Sequence, residues 1–167
     1  MLARYDVVVI GAGPAGEGAA MKLVKEGRRV AVIDQLGEVG GNCAHVGTIP
    51  SKALRQTVYN LMRFRRDPLL SRMAEIRSLP LSQVLARAHK VIDIQVTTHH
   101  RFFERNDVDL YYGEARFEDE HTMSVLTSEG VSERIGFESA VIATGSRPYQ
   151  PADIDFNHPR VFDSDKI

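Results

Sequence analysis

The residues with most chemistry to offer lie near the amino end. Four β-branched residues, Val7-Val8-Val9-Ile10, run straight into Gly11-Ala12-Gly13-Pro14-Ala15-Gly16, and the helix formers Ala19 to Glu26 follow before Gly27. A turn of this pattern between a strand and a helix suits a phosphate. Gly11 permits the tight turn, Gly13 lets the anion reach the backbone, and Gly16 lets helix and strand pack closely. The orphan N–H groups and dipole of the helix then face the anion, worth about 0.3–1 kcal/mol per nearby charge. A second β-branched run, Arg29 to Asp34, ends on a carboxylate placed to accept hydrogen bonds from both hydroxyls of a ribose and to repel a 2′-phosphate. The β-α-β unit predicts a bound dinucleotide, FAD or NAD in preference to NADP.

A second constellation follows at once: Gly40-Gly41-Asn42-Cys43-Ala44-His45-Val46-Gly47-Thr48-Ile49-Pro50-Ser51-Lys52. Cys43 is the only cysteine of the chain, so no internal disulfide and no two-thiol redox centre can form within it. A reducing compartment fits that usage, and Cys43 reads as a packing residue more than a reactive thiolate.

The elements that must position these groups follow from the pattern. A chain of 167 residues with 43% hydrophobic and 26% charged residues and a formal charge of −1 is expected to be a globular domain large enough to bury a core unaided. It has neither the basic excess of a nucleic-acid binder nor an acidic tail, and the cluster Arg63, Arg65, Arg66 reads as a solvated helix end. The opening residues run into the first strand with no long apolar stretch, and no apolar run approaches the roughly 20 residues of a membrane span. We therefore expect a cytoplasmic protein, with no nucleic-acid or membrane partner. A helix is predicted from Pro50 to about Arg65, ended near Asp67-Pro68, and a longer one from Ser82, as N-cap, through Val84, Ala88, Val91, Val96 and Phe103. Together they should form an antiparallel helical hairpin. Short strands are expected at 108–112, 115–117, 121–126, 133–137 and 140–143, and the proline-punctuated end reads as the start of a linker. His89, His99 and His100 do not share a helix face in a way that would hold zinc, and no metal site is expected.

The stretch from Gly40 to Lys52 resembles the G-G-x-C-x-x-x-G-C-I-P-S-K signature of the two-dinucleotide-fold flavoprotein reductases, the group that contains lipoamide dehydrogenase, glutathione reductase and mercuric reductase. Cys43 occupies the first cysteine position, but Thr48 stands at the second, so the redox disulfide of that group is missing. Thr48, with Gly145-Ser146-Arg147-Pro148-Tyr149 near the end, is similar to a branch of the family in which hydride passes from NADPH through FAD to NAD⁺, both nicotinamides using one face of the flavin in turn.

The resemblance implies a Rossmann-like α/β FAD-binding domain: a parallel central sheet, a helical hairpin insertion and a small antiparallel β element. It spans residues 1–150, with 151–167 beginning a linker towards an NAD(P)-binding domain. Carried over by position, it implies that Gly11, Gly13, Pro14, Ala15 and Gly16 hold the pyrophosphate, and that Asp34 and Gln35 serve the adenosine side. Gly40, Gly41, Asn42 and Cys43 would pass beneath the flavin, and Gly113 and Ala115 would meet the adenine. Ala143, Thr144 and Gly145 would contact FAD at a strand end. Lys52 would sit near flavin N5 as the catalytic cation, stabilising charge as hydride arrives. The implied cofactor is FAD, with NADPH and NAD⁺ as nicotinamide dinucleotide substrates of a homo-oligomeric full-length protein. A disulfide reductase of the lipoamide dehydrogenase kind, a cofactor-binding module inactive alone, and a single-fold NAD dehydrogenase are the other readings. Thr48 weighs against the first, and the third lacks an acid–base pair after the nucleotide fold.

Overall fold

The computed structural model describes residues 2–69 and 80–165. Strand β1 (Ala3–Ile10), helix α1 (Pro14–Lys25) and strand β2 (Val30–Asp34) form the β-α-β unit. A short helix α2 (Gly41–His45), a long α3 (Thr48–Arg66) and the longer α4 (Leu81–Arg105) come next, then β3 (Asp109–Tyr112), β4 (Glu114–Phe117), β5 (Thr122–Leu126) and β6 (Ser132–Ile142). They build one six-stranded sheet in the order β3-β2-β1-β6-β5-β4. The first four strands in that order are parallel, and β5 and β4 add on antiparallel.

The continuous apolar runs in β1 and β2 are explained by cover on both faces. On one face Val7, Val9, Val30 and Val32 pack with Ala20 of α1 and with Phe103 of α4, which is fully buried. On the other, Tyr5, Val8, Ala31 and Ile33 pack with Met123, Val125, Ile135 and Phe137 of β5 and β6. The antiparallel strands therefore cover the face that α1 and α4 leave open. Tyr5 and Val8, three apart, share this second core because the N–H groups of Asp6 and Val7 converge on a single carbonyl, that of Arg29, at 2.9 and 3.3 Å.

Several elements differ from the sequence-based expectation. Helix α1 starts at Pro14, inside the glycine turn, not near Ala19, because proline at a first helical position has the right φ and no N–H to satisfy. The strands expected at 133–137 and 140–143 are one 11-residue strand, β6. The exposed Glu138 and Ser139 in its middle break the apolar pattern, yet β1 pairs along both of its halves, from Ala3 opposite Ile135 to Ile10 opposite Ile142. Ser82 lies inside α4; Pro80 occupies the N-cap position, with no side-chain capping bond. Helix α2 is an addition, too short to show a helical period. Helices α3 and α4 pack on each other as an inserted pair. The linker expectation extends to Lys166 and Ile167, which lie outside the described residues. No described helix is long and apolar enough to cross a membrane.

Candidate functional site

Because β1, β2, β3 and β6 are parallel, their carboxyl ends lie along one edge of the sheet, and the loops leaving them carry most of the residues singled out above. The turn after β1 is held from three sides. The Gly11 N–H donates to the Ile33 carbonyl (2.7 Å), the Ala12 N–H to Asp34 Oδ2 (2.8 Å), and the Ala12 carbonyl accepts from the Gly40 N–H (2.8 Å). Ala12, fully buried and given no role by the motif, thus ties the turn both to the acid ending β2 and to the Gly40–Gly41 loop.

The three motif glycines are glycine for different reasons. Gly11 has φ +108°, and a Cβ there would lie 2.3 Å from the Ala143 carbonyl oxygen. A Cβ on Gly16 would lie 1.8 Å from the Gly11 oxygen. Both positions are demanded by the fold. Gly13 is not: its φ is −76°, and a Cβ would meet only Gly41 Cα, at 3.8 Å. No protein atom requires glycine at the N-cap of α1. Gly13 caps the helix without a side-chain hydrogen bond and Pro14 carries no N–H, so the start of α1 has no side-chain cap among the described residues.

Asp34 is buried at the end of β2, and both its carboxylate oxygens are engaged by backbone: Oδ2 by Ala12 N–H and Oδ1 by Leu36 N–H, each at 2.8 Å. Each oxygen keeps a further lone pair. Gln35 follows it, exposed. The Gly113 N–H donates to the Asp34 carbonyl (2.9 Å), and a Cβ on Gly113 would lie 2.4 Å from the Leu126 oxygen, so close packing against β5 accounts for this glycine. Ala115 sits in β4 opposite Val125 and packs against the second core.

The glycine-pair loop closes over the turn. Gly40 and Gly41 both have positive φ, and a Cβ on Gly41 would lie 2.8 Å from Gly13 Cα. Asn42 Nδ2 donates to the Ser146 carbonyl (3.2 Å), drawing α2 to the segment after β6 that holds Ala143, Thr144 and Gly145. Cys43 is half-buried in α2, and His45 binds the Val39 carbonyl through Nε2 (2.9 Å). Thr48 opens α3, which packs on α2, and Lys52 is exposed in the following turn with no ion pair to a described residue.

The fold thus brings together Gly11 to Gly16, Asp34, Gly40 to Asn42 and Ala143 to Gly145; Ala115 packs on the second core in β4, and Lys52 joins through the packing of α3 on α2. Two residues given no part in the site by the sequence motifs also belong to this edge. Glu17, in the first turn of α1, pairs with Nδ1 of His99 on α4. A contact between residues 82 positions apart leaves no local signal.

The arrangement is that of a Rossmann-like α/β domain. The chain belongs to the pyridine nucleotide-disulphide oxidoreductase family, which it matches over residues 5–166. It is 53% identical over 164 residues to the soluble pyridine nucleotide transhydrogenase of Stutzerimonas stutzeri (strain A1501), covering 98% of this chain and 35% of that protein. It is 52% identical, with the same coverage, to the protein of that name from Pseudomonas fluorescens (strain SBW25). The chain therefore spans about a third of the length of these relatives. Among solved structures it is similar to the HOCl-induced flavoprotein disulfide reductase RclA from Escherichia coli, with a TM-score of 0.75 and 26% identity, covering 97% of this chain and 33% of that one.

Proposed function

We propose that the chain is the FAD-binding part of a flavoprotein transhydrogenase that moves hydride from NADPH through FAD to NAD⁺. The observation that carries the cofactor is Gly13, a glycine the protein itself does not need. An approaching diphosphate does need it, since a Cβ would stand between the anion and the amides at the start of α1. The relatives named transhydrogenase support the reaction, and the lone thiol of Cys43 beside Thr48 favours it over disulfide reduction.

Bound FAD would supply a ring that takes up a hydride and gives it back. In this reading Gly11, Gly13, Pro14, Ala15 and Gly16 line the diphosphate. Asp34 uses its remaining lone pairs on the ribose while its other bonds hold the turn, and Gln35, Gly113 and Ala115 lie on the adenosine side. Gly40, Gly41, Asn42 and Cys43 with Ala143, Thr144 and Gly145 form the floor towards the flavin. Lys52, exposed and without an ion pair to a described residue, offers a cation that opposes negative charge gathering on the flavin. Residues 1–150 act as the cofactor-binding unit, and 151–167 begin the link to a nicotinamide-binding domain. The chain alone then holds FAD without turnover, and the full-length protein works as a cytoplasmic homo-oligomer.

The test is an assay of the full-length polypeptide with NADPH and a thionicotinamide analogue of NAD⁺, whose reduction is followed by visible absorbance. Reduction that depends on bound flavin is expected. A flavin-loaded protein that reduces lipoamide and not the analogue would replace this reading with the disulfide reductase one.

A further inference from the structure

The geometry points to His99 as a positioning residue for the diphosphate turn: from α4 it holds the Glu17 carboxylate away from the start of α1, where the diphosphate would bind. The inference rests on the dinucleotide reading above. Glu17 closes the first turn of α1, its N–H bonded to the Gly13 carbonyl at 2.9 Å. An acidic side chain there is drawn to the positive end of the helix, and a diphosphate is drawn to the same end. Two anions at one helix start repel, and water reaches the Glu17 side chain poorly, since it is only 19% exposed.

His99 resolves the conflict. Its Nδ1 engages Glu17 Oε2, which fixes the carboxylate on the α4 side. The other edge of the ring lies beside the glycine-pair loop, with Cδ2 3.7 Å from where a Gly40 Cβ would stand. His45 adjoins the same point but is committed to the Val39 carbonyl and, at 3.3 Å, to Glu38. One imidazole from the inserted helix pair thus lies between the first turn of α1 and the glycine-pair loop, and α4 gains a role in cofactor affinity beyond core packing.

The experiment is a titration of FAD into the full chain, read by flavin fluorescence, for the unsubstituted protein, His99→Leu, Glu17→Gln and the double variant. Freed from His99, the carboxylate should weaken FAD binding about tenfold in His99→Leu. Glu17→Gln should bind at least as tightly as the unsubstituted chain, and the double variant should return to within about twofold of it. Unchanged affinity in His99→Leu, or a double variant as weak as His99→Leu, would overturn the inference, the latter by showing that the loss is one of packing. If His99→Leu does not fold, Glu17→Gln decides alone, since weaker binding there contradicts the repulsion. A protein that binds no FAD, either as this chain or as the full-length polypeptide, overturns the dinucleotide reading itself, and this inference with it.

Discussion

Gly13 and Gly41 meet backbone to backbone: a Cβ on Gly41 would lie 2.8 Å from Gly13 Cα, while one on Gly13 would meet nothing nearer than Gly41 Cα, at 3.8 Å. The asymmetry separates what the fold requires from what a ligand requires. Gly13→Ala should cost about 1 kcal/mol or less in stability, since alanine is only a poorer N-cap, yet should abolish FAD retention. Gly16→Ala would press a methyl into the Gly11 oxygen and should destabilise by roughly 2–3 kcal/mol. Urea unfolding read beside flavin content separates the two effects.

Asp34 makes the opposite prediction, that a residue expected to bind ribose also holds the protein together. Asp34→Ala leaves the buried Ala12 N–H and the part-buried Leu36 N–H without their acceptors. The cost should be roughly 2–4 kcal/mol. Asp34→Asn keeps one acceptor oxygen and should fall between the two in a chemical denaturation series.

Stability should also decline in alkali. Burial, aided by a hydrogen bond with Tyr111 and another to Asp109, pushes the Tyr5 hydroxyl well above the usual tyrosine range. Burial, with the negative charges of Asp34, Glu104 and Glu38, raises that of Tyr112, whose hydroxyl lies 2.7 Å from His100 Nε2. The folded chain keeps these protons where the unfolded chain, with tyrosine pKa values of about 10, gives them up. The stabilisation is complete below pH of about 10 and is lost as pH rises towards the folded values. Urea midpoints should fall above pH of about 10, and the fall should be shallower in Tyr5→Phe.

Lys52→Met should leave stability within about 0.5 kcal/mol, because the side chain is exposed and has no ion pair to a described residue. In the full-length polypeptide it should leave flavin content unchanged and slow hydride transfer at least about tenfold. Stopped-flow reduction of the flavin by NADPH measures that step, and an unaltered rate would remove Lys52 from the chemistry.

The β-α-β unit was legible because Val7 to Ile10, the glycine turn and Arg29 to Asp34 each carry a local signal that agrees with its neighbours. The type and order of α3, α4, β3, β4 and β5 were legible too. What stayed hidden depends on contacts distant in sequence. The unity of β6 is set by pairing with β1 and β5, not by its own residues. The structural role of Asp34 depends on Ala12 folding back over it, and the Glu17–His99 pair on α1 and α4 sharing one face of the sheet. The motif named Gly11, Gly13 and Gly16 alike, and only their surroundings show that two of them serve the fold.

The central claim is most directly tested by incubating the purified chain with FAD, removing free cofactor by gel filtration, and recording the visible spectrum of the protein peak. The account predicts a flavin absorption band at close to one FAD per chain, lost in Gly13→Ala. A folded, colourless peak, both for this chain and for the full-length polypeptide, would contradict it.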